Sequence, residues 1–94
     1  MAYVYPFGKA GDNLKRAVFN KGAAIPGYDS ATWRRDIAGH AMKYDLHGIA
    51  DGDFGWEIDH IKPSAKGGSD DLLNLQPLWW KNNRTKGDTY PWNG

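Results

Sequence analysis

The chain contains no cysteine. That absence excludes a disulfide scaffold, a thiol nucleophile and any cysteine-ligated zinc or iron–sulfur centre. Long apolar runs are also missing. The longest uninterrupted stretches are a few residues, far short of the roughly 18 that cross a bilayer, so no membrane partner is expected. Neither sign of charge dominates, with 12 Lys and Arg against 11 Asp and Glu. No global field therefore drives the chain onto a polyanion, and any such partner must be held by a local patch. Met1-Ala2-Tyr3-Val4-Tyr5-Pro6 has neither the basic start nor the apolar middle of a secretion signal, and the expectation is a soluble intracellular protein. Repeats and low-complexity segments are absent.

What is present is a chain of 94 residues, the length of one domain spanning 1–94. Five Trp, five Tyr and three Phe supply large buried area per residue in place of covalent staples. Tyr3-Val4-Tyr5 suits a short edge strand or extended arm. Asp12 is placed to cap a helix in which Leu14, Ala17 and Val18 recur at helical spacing, stopped by Gly22. Ile25 to Ser30 is turn chemistry. Trp33–Asp36 and His40–Tyr44 flank Ile37-Ala38-Gly39 and read as a hairpin. A polar, glycine-rich loop over 45–55 leads into Trp56-Glu57-Ile58-Asp59-His60-Ile61, a period-2 strand that ends before Pro63. Leu73-Asn74-Leu75 reads as a second extended piece, and Leu78 to Lys86 as a helix stopped by Gly87.

Asp59-His60 carries the chemistry. A carboxylate offers a hard oxygen ligand to a divalent cation, and an imidazole can take a proton near neutral pH. Ile58 and Ile61 anchor the pair at the edge of a core. Neighbours on an ideal strand point to opposite faces, so the two share a site only if the strand ends there. On the last helix Asn83 offers an amide oxygen, a neutral partner for a carboxylate around an oxygen-ligated ion. Leu78, Trp79 and Trp80 are expected to pack inward, and Lys81, Arg84 and Lys86 to stay in water. Glu57 shares the face of Asp59 and is expected to pair with a nearby Arg or Lys. His40 and His47, with Asp45, read as exposed loop residues in preference to a second metal site.

Trp56-Glu57-Ile58-Asp59-His60-Ile61-Lys62-Pro63, Gly67-Gly68, Asn74-Leu75-Gln76-Pro77-Leu78 and Asn83-Arg84-Thr85-Lys86-Gly87, in that order, resemble the HNH endonuclease family. A weaker echo runs upstream through Lys21-Gly22, Ile25-Pro26-Gly27 and Trp33-Arg34-Arg35-Asp36, as in small bacterial and phage HNH proteins. The resemblance implies an α+β fold: a ββα-metal (His-Me finger) core over 56–88, with an N-terminal helix and hairpin. It implies His60 as general base, Asp59 and Asn83 as metal ligands, and Asn74 as the residue that fastens the His-bearing loop. Many relatives bind a structural zinc through CxxC pairs. The corresponding places near the helix are Trp79 and Asn82, so no structural zinc is expected and aromatic packing substitutes for it.

The implied activity is metal-dependent hydrolysis of DNA, double-stranded for preference, leaving a 5′-phosphate and a 3′-hydroxyl. One divalent cation suffices. The Asp/Asn oxygen set leans to Mg²⁺ or Mn²⁺, with Zn²⁺ or Ni²⁺ as alternatives. Arg34, Arg35, Lys62, Lys81, Arg84 and Lys86 are the candidates to neutralise DNA phosphates. A chain this short leaves little room for a recognition module, so dimerisation or a guiding partner protein stays open. The rival readings are a non-cleaving nucleic-acid-binding module on the same fold, and a Trp-rich domain whose exposed indoles bind carbohydrate.

Overall fold

The computed structural model describes residues 4–94. Tyr3 of the expected N-terminal strand lies outside the described residues, and Val4 and Tyr5 form no strand. The first helix, α1, is Asp12–Phe19. Gly11 occupies its N-cap position without a side-chain cap, so Asp12 opens the helix and does not cap it. There it complements the helix dipole and pairs with Lys15 at 3.1 Å. The predicted stop at Gly22 has a different cause from a left-handed cap. A Cβ at Gly22 would lie 2.9 Å from the Arg35 carbonyl oxygen, so glycine there lets the next segment approach the sheet.

That segment is β1, Ala23–Ala24, which pairs with β2, Trp33–Arg35, and β2 with β3, Ala41–Lys43, in one antiparallel sheet. The β2–β3 hairpin agrees with the sequence reading, and Gly39 takes the left-handed φ of 91° that its turn needs. Two alanines give no strand signal, and β1 was not expected. Arg34 holds it in place: its guanidinium donates to the carbonyls of Ser30 at 2.9 Å, Asn20 at 3.1 Å and Gly22 at 2.9 Å.

The second sheet pairs β4, Trp56–His60, with β5, Leu75–Trp79, antiparallel, in a register running from Trp56↔Trp79 to His60↔Leu75. The following helix α2 is Trp80–Lys86. Together these form the expected ββα unit, with corrected boundaries. Leu72–Asn74 is a 3₁₀ turn, and the strand covers Gln76 to Trp79, part of which the sequence reading gave to the helix. Pro77 lies inside this strand. It fits because it sits opposite Ile58, whose N–H donates away from the ladder to the Tyr5 hydroxyl, so this pair needs no amide from Pro77.

Trp56 and Ile58 pack with Val18, Phe19, Met42 and Leu75 in the core, where the Phe19 and Trp56 rings lie 5.1 Å apart. The other face of β4 packs on α2. Both faces are covered, which is why the strand shows no alternation of buried and exposed positions.

Asp36 ties the two halves together. One carboxylate oxygen accepts from the N–H groups of Ala38 (3.1 Å) and His40 (2.9 Å). The other accepts from the Trp79 N–H at 3.0 Å and the Asn82 amide at 2.9 Å. His40 stacks in parallel on Trp79 at 3.6 Å. Trp79 and Asn82 are the two positions where the resemblance implies that aromatic packing stands in place of a structural zinc. A buried carboxylate and a stacked imidazole brace them here, beside the aromatic packing.

Candidate active site

The face of β4 toward α2 carries Glu57 and Asp59, two carboxylates that a core would otherwise exclude. Each is matched from the helix. Glu57 accepts from the Asn83 amide at 2.9 Å and the Arg84 guanidinium at 2.8 Å, the ion pair expected for it. Asp59 is 7% exposed and accepts from the Gln76 amide at 2.9 Å and the Lys86 ammonium at 3.3 Å. Lys86 also donates to the His60 carbonyl at 2.9 Å. Burial pushes the Asp59 carboxyl above the usual carboxylate range, against the opposing pull of the Gln76 hydrogen bond and of Lys86.

His60 ends β4. Its Nε2 lies 2.7 Å from Asp70 Oδ1, and its ring packs on Phe7 with centroids 5.1 Å apart. Asn74 braces the loop between these elements. Its Oδ1 accepts from the Lys62 N–H at 2.9 Å, while its amide donates to the carbonyls of Lys62 (3.0 Å) and Ser69 (2.7 Å).

The strand's end removes the difficulty of adjacent residues facing apart. Asp59, His60 and Asn83 all line one cleft of about 340 Å³, walled by Pro6 and Phe7 on one side and by Arg84, Gly87 and Asp88 on another. Among the described residues no group of three or more His, Cys, Asp or Glu gathers to hold a metal ion, including around His40, Asp45 and His47. An ion in the cleft would rest on Asp59 and Asn83 alone. Their donors fit one: the Asn83 amide nitrogen is committed to Glu57, leaving its oxygen as the ligand atom, and the buried Asp59 carboxylate lacks full compensation, which a cation would supply.

The basic candidates divide. Arg35, Lys62 and Lys81 are exposed. The Arg84 side chain is one-third exposed, with its guanidinium engaged by Glu57. Lys86 is corrected: at 2% exposure, with its ammonium on Asp59, it cannot stay in water or reach a phosphate, because the β4 carboxylates face α2. Arg34 is likewise taken up by three backbone carbonyls. His40 and His47 are half-buried and not exposed loop residues; His47 Nε2 meets the Tyr5 hydroxyl at 2.9 Å.

Sequence reasoning did not single out Asp70, Gln76 or Phe7. Gln76 was legible in principle, since a polar residue between Leu75 and Leu78 on a buried strand needs a polar partner. Asp70 and Phe7 reach the site only through loop closure and carry no local signal.

Against known protein families, residues 49–89 match the model described as HNH endonuclease. No curated protein and no solved structure matches the chain. The segment that builds the strand, loop and helix of this cleft is therefore the part of the chain that is recognised as similar to HNH endonucleases.

Proposed function

We propose that the protein hydrolyses DNA phosphodiester bonds, with His60 as the general base and Asp59 and Asn83 as the ligands of one divalent cation. The observation that carries this reading is the meeting of these three side chains in one cleft at the end of β4. A cation bound there, Mg²⁺ or Mn²⁺ for preference, supplies charge stabilisation to a phosphate oxygen and to the leaving oxygen. Neutral His60 takes a proton from water, and the water oxygen forms the new bond to phosphorus. The bond to the 3′ oxygen breaks, and that oxygen leaves with the electron pair and takes a proton from solvent. A 5′-phosphate and a 3′-hydroxyl result. Phe7 covers one face of the imidazole and limits the water around it, and the Asn74 brace holds the segment that carries it. Arg35, Lys62 and Lys81 are exposed and are the residues assigned to meet the DNA backbone.

Nicking of supercoiled plasmid, measured across a panel of divalent ions with His60→Ala as control, tests the reading. Metal-dependent nicking that the variant lacks supports it. Equal nicking by both proteins overturns the assignment of His60.

One observation favours a second reading, a non-cleaving nucleic-acid-binding module: Lys86 already places a positive charge against Asp59. DNA binding without nicking under any ion in the panel would select it. The carbohydrate reading has less support, because among the described residues every Trp is buried or half-buried.

A further inference from the structure

The loop between β4 and β5 contains two consecutive acidic residues with different tasks. Asp71 is used by the loop itself. Its N–H donates to the Ser69 hydroxyl and its side chain accepts from it, both at 3.2 Å, while its carbonyl accepts from the Asn74 N–H at 2.8 Å. Asp70 contributes its side chain to none of these bonds. It crosses to His60, with Oδ1 2.7 Å from Nε2, although 86% of the side chain is in solvent. An exposed carboxylate gives up rotamer freedom to hold such a contact and adds little to folding, since exposed pairs of this kind are weak. The surrounding loop fixes the geometry. Asn74 bridges Lys62 and Ser69, and Gly68 N–H donates to the Pro63 carbonyl at 3.0 Å. A Cβ at Gly68 would fall 1.7 Å from the Lys62 oxygen, so the chain passes there without room for a side chain.

We infer that Asp70 is a positioning residue for His60, locking the imidazole so that Nδ1 is the atom that takes the proton. The inference rests on His60 acting as general base. An ionised carboxylate can only accept, so the ring proton belongs on Nε2 and the lone pair on Nδ1. The same bond stops the ring turning about its Cβ–Cγ axis, which would exchange Nδ1 for a carbon. Phe7, at 5.1 Å, closes a second side of the ring. In the reaction the water proton passes to Nδ1 while Nε2–H stays bonded to Asp70. The carboxylate then faces an imidazolium whose charge it stabilises, without itself taking the proton.

The test uses the full-length chain and three variants, Asp70→Ala, Asp70→Asn and His60→Ala. Asp70→Ala should lower kcat for plasmid nicking about 10- to 100-fold, the usual loss when an orienting partner is removed, with KM and thermal unfolding close to the parent's. Asp70→Asn keeps an acceptor oxygen and should recover much of the lost rate. In ¹H–¹⁵N spectra of the metal-free protein, the His60 Nε2–H should be protected from exchange in the parent and in Asp70→Asn, and lost to exchange in Asp70→Ala. Parent-like kcat in Asp70→Ala, with His60→Ala inactive, overturns the positioning role alone. An Nε2–H signal unchanged by Asp70→Ala does the same, whatever the activity. Nicking that survives His60→Ala overturns the general-base reading on which the role depends.

Discussion

Lys86 Nζ lies 3.3 Å from Asp59 Oδ1, with 1% and 7% of the two side chains exposed. Removing one member of a buried pair leaves the other charged and uncompensated, which costs about 3–5 kcal/mol. Lys86→Met should therefore destabilise the protein by that amount in urea unfolding, a large share of the stability of so small a domain. Adding Asp59→Asn should restore part of the loss, because the stranded charge goes with it. Equal stability of the single and double variants would mean that the pair is not coupled.

Asp36 gathers four donors at 2.9–3.1 Å from two parts of the fold. Asp36→Ala strands the N–H of Trp79 at the start of α2 and frees the hairpin from it. A loss of about 2–4 kcal/mol is expected, since buried donors left without partners carry a desolvation penalty each. Asn82→Ala removes only one of the four bonds and should cost about 1 kcal/mol. Chemical denaturation of both variants checks the ranking.

Much of this site could be read from residue order, and the limits of that reading are physical. Asp59, His60 and Asn83 were legible as a carboxylate, an imidazole and an amide oxygen, and the order that resembles the HNH family added Asn74 to them. Lys86 was misjudged because its surroundings depend on which face of β4 meets α2. Once Glu57 and Asp59 take that face, the lysine must be inside. The extent of β5 was not legible, because the place of Pro77 in it depends on the Ile58 N–H bonding to Tyr5, 53 residues away in sequence. Which of Asp70 and Asp71 meets His60 is likewise settled by loop closure and not by local propensity.

His47 gives a pH dependence with a definite sign. The Tyr5 hydroxyl accepts from the Ile58 N–H and lies 2.9 Å from His47 Nε2, where a neutral ring can share a hydrogen bond with it. Burial first, and the nearby charge of Lys15 second, push the ring down from the usual 6.5 to about 4. Above 6.5 the ring is neutral in both the folded and unfolded chain. As pH falls below that, the unfolded chain takes up a proton that the fold refuses, so stability declines until about pH 4 and then levels. With the ring's partial exposure discounted, the loss is about 1–2 kcal/mol. Asp59 runs the other way, since its raised carboxyl favours protonation in the fold. His47→Gln isolates the histidine, and its unfolding midpoint should fall less than the parent's between pH 7 and 4.5. Parallel declines would remove His47 from the account.

Exposed and engaged cations should separate in DNA binding. Lys62→Ala and Lys81→Ala should each reduce the salt slope of binding by about one unit and leave stability within about 0.5 kcal/mol of the parent. Arg34→Ala should do the reverse, lowering stability by about 2–3 kcal/mol through three unpaired carbonyls while the slope stays unchanged. Filter binding over a salt series, paired with thermal unfolding, distinguishes the two classes. A lowered slope for Arg34→Ala would show that its guanidinium leaves those carbonyls for phosphate.

Asn74 and Gly68 hold the same loop by opposite means, one by hydrogen bonds and one by the absence of a side chain. Asn74→Ala removes the three bonds to Lys62 and Ser69, and should cost about 2–3 kcal/mol. Asn74→Asp keeps the acceptor for Lys62 N–H but puts an oxygen against the two carbonyls, so it should be no better. Gly68→Ala must push the chain off Lys62, because the new methyl would sit 1.7 Å from a carbonyl oxygen. Both changes loosen the segment between His60 and Asp70 without touching either side chain. Faster hydrogen exchange at the Gly68 N–H, now bonded to Pro63, and at the Ile61 N–H, now bonded to the Asn74 carbonyl, is the expected signature. Plasmid nicking should fall in step with that exchange. Full nicking in a Gly68→Ala protein whose loop exchanges freely would mean that His60 does not need this loop to hold its place.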